Sequence, residues 1–153
     1  PTQIVELNLK HDTDVLTFPT KDVFVKAACH IARGGTLEII GKVKADFNQR
    51  TIFTPVIHEK LIRGMVIYID AYYNLITNIT LQLFKDTGKG RKFEINFRHY
   101  KINAISKNYN EVPEGEIVAL FNSAGYLEIA QNCANMGKVG KILPLEGVNI
   151  QFA

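Results

Sequence analysis

The sequence has few cysteines, no long apolar runs and little excess of charge of either sign. Its two cysteines, Cys29 and Cys133, lie in unlike segments with no second cysteine nearby, so they cannot form a zinc knuckle or a disulfide framework. The longest apolar runs are a few residues, far short of the roughly 20 residues that cross a bilayer. We therefore expect no membrane partner and a reducing, cytoplasmic location.

The charge balance also excludes a strongly basic or acidic protein. The 153 residues carry 18 Lys and Arg against 15 Asp and Glu, a net charge of +3. This mild excess argues only weakly for a nucleic-acid partner. At 46% hydrophobic and 22% charged residues, the chain has the composition of a globular protein that can bury a core.

Two kinds of pattern divide the chain and predict an α+β fold. Within residues 1–42, alternation at residues 4–9 predicts a strand, and the segment from Pro19 to Gly35 predicts a helix with Thr20 as its N-cap. Residues 43–62 lose periodicity and predict a connector. Residues 63–153 change to short strands separated by Gly, Asn and Pro, which predict a small antiparallel sheet or barrel.

Within this scheme the individual elements can be placed. Thr36 to Ile40 predict a short helical turn, and 134–139 a short helix. The predicted strands cover residues 65–69, 75–79, 92–98, 101–107, 115–121, 126–131 and 148–152.

The histidines do not predict a metal site. His11, His30, His58 and His99 are scattered over four segments, and no pair has the i, i+4 spacing of a helical metal site. No cluster of cysteines or carboxylates joins them. We therefore assign no metal ligand.

One basic stretch leaves two interpretations open. The stretch from Lys85 to Lys101 contains six Lys and Arg but only two acidic residues, Asp86 and Glu94, so its local charge is +4. Three aromatic residues are interleaved with these charges. Such a strand pair is typical of a single-strand nucleic-acid binder. It is also typical of a solvated hairpin whose lysines protect an exposed edge strand, which we favour.

Two other stretches carry more information. In residues 68–79 a strand delivers the Asp70 carboxylate, an aromatic ring and the Asn74 amide to one turn, and in residues 121–133 a Ser-x-Gly corner joins two strands. Together these groups suit a zwitterionic, ring-bearing small ligand. Each also has a plain alternative, because Asp and Asn commonly satisfy turn backbone and Ser caps corners.

At these stretches the chain resembles the S-adenosyl-L-methionine hydroxide adenosyltransferase family, the adenosine-forming SAM hydrolases, whose relatives include the fluorinase and chlorinase. The family pattern is close to Ile-Asp-x-Phe-Gly-Asn-Leu-Ile-Thr-Asn-Ile, then Tyr-x-x-Val-Pro-x-Gly-Glu, then Asn-Ser-x-Gly-Tyr-Leu-Glu-Ile-Ala-x-Asn. These motifs stand in order at residues 69–79, 109–116 and 122–132. The resemblance runs from about residue 15 to the end.

The resemblance implies an architecture and an assembly. Such proteins have a larger N-terminal α/β domain and a smaller C-terminal β domain, and form homotrimers with SAM held between the N-domain of one subunit and the C-domain of the next. Residues 1–42 would then be the end of the N-domain and 63–153 the SAM- and adenosine-binding C-domain. Since the chain starts at Pro1 with a strand under way, we expect a fragment that is inactive alone.

The resemblance also implies a role for eight residues. By position, Asp70 meets the methionine ammonium, Ser123 the methionine carboxylate, and Asn74 the adenine edge. The rest of the purine site comes from the backbone after the last motif strand and from two aromatic walls: Gln131, Asn132, Cys133, Tyr72 and Tyr109. These pairings are chemically sound, since an anion faces a cation and amides face a base edge.

Two departures from the family pattern stand out. The Phe-Gly before the family asparagine is Tyr72-Tyr73 here, so a bulky residue replaces a turn glycine. Hydrolase members carry Thr-Phe-His-Gly-Arg-Asp at the last N-domain helix, whereas this chain has Pro19 in place of the histidine associated with activating water. We therefore assign no catalytic residue within the chain.

The implied activity of the intact protein is SAM hydrolysis. Water or hydroxide attacks the ribose 5′ carbon and gives adenosine and methionine, with SAM as substrate and no metal or cofactor. The alternative is a non-catalytic β-domain module that binds a nucleotide or single-stranded nucleic acid through residues 85–101.

Overall fold

The computed structural model describes residues 3–9, 17–46, 48 and 53–153, so His11 lies outside the described residues. The chain divides into two compact units, residues 1–51 and 52–153. The first combines short strands with helices, and antiparallel strands dominate the second. The predicted α+β class is confirmed. Within the described ranges, no helix is long and apolar enough to cross a membrane.

The first unit joins a two-stranded sheet to helical segments. Strand β1 pairs antiparallel with β2, Val5 opposite Val43. Between them a π-helical turn runs into α1, and a single turn, α2, follows. In chain order the elements are β1 (Val5–Leu7), the π-helical turn (Thr20–Phe24), α1 (Val25–Ala32), α2 (Leu37–Ile40) and β2 (Gly41–Val43).

The helix and the following turn lie where the sequence predicted them. The predicted N-cap, Thr20, was wrong. Pro19 already has helical dihedral angles, φ −59° and ψ −29°, so Thr20 lies inside the helix and no side chain caps its start. The φ fixed by the proline ring suits the first position of a helix, which makes a threonine cap unnecessary. At the other end Gly34 has φ +83°, a conformation that favours glycine and ends the helix.

The second unit is an eight-stranded antiparallel sheet within the described residues. Seven strands follow the order β7-β6-β10-β4-β5-β9-β8, and β3 pairs with β4 beside this path. Its strands are β3 (Val56–His58), β4 (Leu61–Ile69), β5 (Leu75–Thr80), β6 (Phe93–Phe97), β7 (Tyr100–Ile102), β8 (Ile117–Phe121), β9 (Tyr126–Gln131) and β10 (Gly147–Phe152). Its helical elements are α3 (Leu81–Gly88), a 3₁₀ turn (Tyr109–Glu111) and α4 (Met136–Val139).

The sheet curls until its two ends nearly meet. The chain leaving β7 crosses to β8, where the Ser106 amide donates to the Ala119 carbonyl at 2.8 Å and Ser106 forms a parallel bridge with Leu120. The prediction of a strand over 101–107 was therefore wrong beyond Ile102, because these residues close the barrel instead of extending the β6–β7 hairpin. Closure protects the sheet edges from pairing with other chains.

The core lies inside this curled sheet and follows the alternation of the strands. In β10 the buried residues are Val148, Ile150 and Phe152, and the residues between them are exposed. Successive side chains of a strand point to opposite faces, so this pattern places one face of β10 in the core. The neighbouring strands contribute Ile62, Val66, Leu75, Ile79, Ile95, Phe97, Leu127 and Ile129.

Helix α3 was absent from the sequence prediction. Its N-cap is Thr80, whose hydroxyl accepts a hydrogen bond from the Leu83 amide at 3.1 Å. The helix ends at Lys89 in the left-handed conformation, φ +50°. Leu83 and Phe84 pack against the core. Two helical turns are too short for periodicity to reveal, but a threonine cap before Leu-x-Leu-Phe was a usable signal.

The predicted connector, residues 43–62, contains sheet structure in its described part. Strand β3 pairs with β4, with Val56 opposite Arg63, and β4 itself begins at Leu61. Residues 47 and 49–52 of this range lie outside the described residues. The Val56 and Ile57 side chains are exposed, so burial does not hold this segment in place. Its backbone hydrogen bonds to β4 stabilise it as a strand.

Gly64 provides a test of the core packing. A Cβ at this position would lie 2.5 Å from Cγ1 of Ile79 and 2.7 Å from Oδ1 of Asn78. We expect Gly64→Ala to lower the free energy of unfolding by about 1–3 kcal/mol, because the packed neighbours must shift. Gly147→Ala is the matched control on the paired strand, since its Cβ meets open space. Equal urea midpoints for the two variants would contradict this packing.

Candidate ligand-binding site

A concavity of about 520 Å³ lies at one end of the β5–β9 pair. Leu75 at the start of β5 faces Ile129 near the end of β9, so the turn before β5 lies beside the segment after β9. The 3₁₀ turn contributes Tyr109 from a third direction. The lining residues are Asp70, Tyr72, Asn74, Tyr109, Gln131, Cys133, Ala134 and Asn135.

The turn from Asp70 to Asn74 is organised by one carboxylate. Oδ1 of Asp70 accepts hydrogen bonds from the backbone amides of Tyr72 and Asn74, both at 2.8 Å. Oδ2 accepts from the side-chain amide of Asn74 at 3.0 Å. The backbone adds a bond from the Tyr73 amide to the Asp70 carbonyl at 3.0 Å. Asp70 thus has the turn-forming role of the plain alternative, and Oδ2 keeps the capacity to accept a further donor.

Tyr73 takes a left-handed backbone conformation. Its φ is +65°, in the left-handed region that a side chain disfavours. The Tyr73 carbonyl accepts a hydrogen bond from the Gly137 amide at 3.0 Å, and the Lys138 ammonium lies 5.9 Å from the centre of the Tyr73 ring. These contacts with α4 hold the turn without a glycine.

The Asn74 amide is fixed in orientation and buried, at 9% exposure. Its Nδ2 donates to Asp70, which leaves Oδ1 as the free end of the group. Among the described residues none donates a hydrogen bond to that oxygen. An oriented acceptor that remains open to solvent at the edge of a concavity suits the amino group of a bound ligand.

The side chains after β9 hold the neighbouring loop. Nε2 of Gln131 donates to the Gly115 carbonyl at 2.7 Å, and Nδ2 of Asn132 donates to the Val112 carbonyl at 2.8 Å. At Cys133, with φ +54°, neither the backbone N–H nor the C=O has a hydrogen-bond partner among the described residues. Adjacent donor and acceptor groups of this kind suit the edge of a heterocyclic base.

Tyr109 forms an aromatic wall and is anchored from behind. Its ring lines the concavity, and its hydroxyl donates to Oε1 of Glu128 at 2.5 Å. Partial burial, with the hydrogen bond to Glu128 and the nearby negative charges, raises the pKa of Tyr109 to about 12. The phenol therefore stays protonated and remains a donor throughout the neutral range.

Six of the eight residues named from the sequence line the concavity, and two do not. Ser123 is exposed in the turn between β8 and β9, and both the backbone and the side chain of Asn132 bond to the chain before β8. Two further lining residues, Ala134 and Asn135, carried no assignment. Nor did Glu128, although a glutamate inside an apolar strand is a usable signal for a buried polar contact.

The described residues contain no group of three or more His, Cys, Asp and Glu side chains able to hold a metal ion. His30 bonds through Nε2 to the Thr36 carbonyl at 2.9 Å. Its position is therefore accounted for by a contact within the first unit.

The raised pKa of Tyr109 has a consequence at alkaline pH. Since the folded state holds this proton more tightly than the unfolded chain, the stabilisation is complete below pH 10 and is lost as the pH rises towards about 12. Between pH 10 and 12 we expect the free energy of unfolding, measured in urea, to fall more for the unsubstituted chain than for Tyr109→Phe. Tyr68→Phe, on an exposed tyrosine, is the control. Parallel pH profiles for all three proteins would contradict the assignment.

Comparison with solved structures gives the same architecture. A crystal structure of an uncharacterized conserved protein from Thermotoga maritima matches with a TM-score of 0.60 and 25% identity, over 91% of this chain and 54% of that one. One of a conserved hypothetical protein from Thermus thermophilus matches with a TM-score of 0.52 and 26% identity, over 90% and 54%. The chain thus spans about half the length of these proteins. No curated protein matches it.

A family model matches the part of the chain that carries the concavity. It covers residues 64–148, more than half of the chain, and includes every residue that lines the site. Its description is the SAM hydroxide adenosyltransferase C-terminal domain. The resemblance in the three sequence motifs is thereby confirmed, and the chain belongs to the SAM hydroxide adenosyltransferase C-terminal domain family.

Proposed function

We propose that the intact protein binds S-adenosyl-L-methionine and hydrolyses it to adenosine and methionine. Membership of the family supports adenosyltransferase-related chemistry in the intact protein. The role of this chain is to hold the substrate through the concavity between the Asp70–Asn74 turn and the segment after β9. The observation that carries the proposal is the set of polar groups around Asn74.

These groups match a purine between two aromatic rings. The free Oδ1 of Asn74 accepts from the exocyclic amino group, and the unpaired backbone groups of Cys133 pair with the rest of the base edge. Tyr72 and Tyr109 supply the walls, and Tyr72 is 76% exposed in the single chain. An exposed ring beside fixed amides is suited to stack on a base.

The methionine end of the substrate is assigned to two other groups. Oδ2 of Asp70 accepts one hydrogen bond within the protein and has room for a donor from the ammonium. Ser123, exposed in the β8–β9 turn, donates to the carboxylate. This assignment places the ammonium beside the same turn that positions Asn74.

The reaction needs this chain to align the substrate with the attacking oxygen more than it needs acid or base catalysis from it. The oxygen of water or hydroxide forms a bond to the 5′ carbon, the carbon–sulfur bond breaks, and its electron pair stays on sulfur, so methionine leaves as a neutral thioether. A water nucleophile loses its proton to solvent. Because a sulfonium is a good leaving group, holding the ribose and excluding bulk water supply most of what this chain contributes.

We further propose that the site is completed by a second subunit of a homotrimer, whose N-terminal α/β domain covers the concavity. The aromatic wall is partly exposed in the single chain, where Tyr109 is 43% exposed and Tyr72 76% exposed. Large aromatic side chains left exposed around polar groups are typical of a surface that another molecule covers.

The contacts of residues 85–101 weaken the alternative, a nucleic-acid module acting through that stretch. Arg98 forms a salt bridge with Glu146 at 2.7 Å, Lys101 pairs with Glu94 at 3.0 Å, and Arg91 donates to four backbone carbonyls. Three of the six cations in the stretch are engaged in this way, which leaves fewer of them to contact phosphates. The interleaved aromatic rings pack in or against the core rather than offering a stacking surface: Phe93, Phe97 and Tyr100.

Replacing the purine-pairing amide tests the adenosine half of the site. We expect Asn74→Ala in the intact protein to weaken adenosine and SAM by a similar factor, roughly five- to thirtyfold, because both ligands share the purine. Titration calorimetry with each ligand measures this. Asn103→Ala, on an exposed asparagine away from the concavity, is the matched control. Affinities that match the control for both ligands would remove Asn74 from the site.

Replacing the carboxylate separates the two ends of the substrate. We expect Asp70→Asn to weaken SAM by a larger factor than adenosine, since only SAM carries the ammonium. Some loss of adenosine is also expected, because Oδ2 of Asp70 orients the Asn74 amide. The difference between the two factors, about tenfold, reports the charged contact. Equal losses for both ligands would leave Asp70 with the turn role alone.

A further inference from the structure

Glu128 is a buried carboxylate whose protein partners are both neutral. It lies on β9 opposite Ile76 and is 3% exposed. Oε1 accepts from the Tyr109 hydroxyl at 2.5 Å, and Oε2 accepts from Nδ2 of Asn122 at 3.2 Å. None of the salt bridges among the described residues involves it. Burying such a group is costly unless its hydrogen bonds are made, so its two partners are held firmly.

The two partners belong to different walls of the proposed site. Tyr109 carries the aromatic face of the concavity. Asn122 shapes the β8–β9 turn, because its Oδ1 accepts from the backbone amides of Ala124 and Tyr126, both at 3.1 Å. That turn presents Ser123. One carboxylate therefore connects the purine wall with the turn assigned to the methionine carboxylate.

We infer that Glu128 is a positioning residue: it holds Tyr109 and the Ser123 turn in the arrangement that receives the substrate, without touching the substrate itself. The inference rests on the proposed function for what the site binds. It adds a residue to which the sequence motifs gave no role. The inference requires that the side chain at position 128 accept two hydrogen bonds at once, as a carboxylate does.

An amide at position 128 cannot serve both partners. Its oxygen accepts from the Tyr109 hydroxyl, but its NH₂ then faces the NH₂ of Asn122, whose oxygen is committed to the turn backbone. Two donors face each other and neither is satisfied. Asn122→Asp alone produces the opposite conflict, two carboxylates at hydrogen-bond distance. The combined exchange, Glu128→Gln with Asn122→Asp, pairs a donor with an acceptor again.

The experiment uses this exchange of donor and acceptor in the intact protein. We expect Glu128→Gln and Asn122→Asp each to weaken adenosine about tenfold in calorimetric titration, and the double variant to recover to within about threefold of the unsubstituted protein. Glu114→Gln is the matched control, since Glu114 is exposed and has no hydrogen-bond partner among the described residues. Binding by Glu128→Gln equal to that of the control would overturn the inference, as would a double variant weaker than both single variants.

A second cycle separates positioning from general stability. If Glu128 acts through Tyr109, then Glu128→Gln costs clearly less adenosine affinity in a Tyr109→Phe background than in the unsubstituted protein. Full additivity, with each substitution weakening binding by its own factor, would show that Glu128 does not act through Tyr109. Tyr109→Phe keeps the ring and removes only the hydroxyl, so if Glu128→Gln alone folds poorly, the adenosine affinity of Tyr109→Phe still tests the contact, and a value equal to that of the unsubstituted protein would overturn the inference.

A ligand-free measurement distinguishes failure of this inference from failure of the proposed function. A short hydrogen bond to a carboxylate shifts the Tyr109 hydroxyl proton downfield in the NMR spectrum. We expect this signal in the unsubstituted protein and in Glu114→Gln, its loss in Tyr109→Phe, and its displacement upfield in Glu128→Gln. If the unsubstituted protein binds neither adenosine nor SAM, the proposed function is contradicted. The hydroxyl signal still decides whether Glu128 holds Tyr109.

Discussion

The antiparallel pairing of β5 with β9 is the interaction on which the site depends. It sets Leu75 against Ile129 and Ile76 against Glu128, residues more than fifty positions apart in the sequence. A shift of one residue would move Glu128 from the outer face into the apolar core and Ile129 out of it, so the register is strongly specified. The same register brings the Asp70–Asn74 turn beside the chain that leaves β9.

Much of the β-rich unit was predictable because its strands alternate clearly. The burial of Val148, Ile150 and Phe152 follows from period two alone, and the ends of β9 agree with the prediction. Six residues named from the sequence also meet at one concavity. The residues alone indicated the carboxylate and amide of one turn, Asp70 and Asn74, and the resemblance to the family supplied the other four by position.

The contacts that the sequence did not predict have a common physical cause. Each one joins a polar group to a partner that is distant in the sequence. Asn132 was assigned to the base edge through its backbone, and that backbone pairs with the chain before β8: its N–H donates to the Glu116 carbonyl at 3.0 Å and its C=O accepts from the Gly115 amide at 2.8 Å. Asn78, inside β5, carried no assignment, yet its buried side chain donates to the Phe53 carbonyl and accepts from the Met65 amide. Nothing local in the sequence shows which carbonyl will lie beside an amide, so a polar side chain near a strand can be named without its partner.

The turn at Tyr73 shows how a residue with a large side chain is held in a left-handed conformation. A left-handed residue with a side chain costs about 1 kcal/mol relative to glycine, and here the Gly137 amide and the Lys138 ammonium meet that residue from α4. The left-handed angle is therefore reached without glycine. A sequence signature that demands glycine at this position would exclude a chain that reaches the same region of backbone angles with tyrosine.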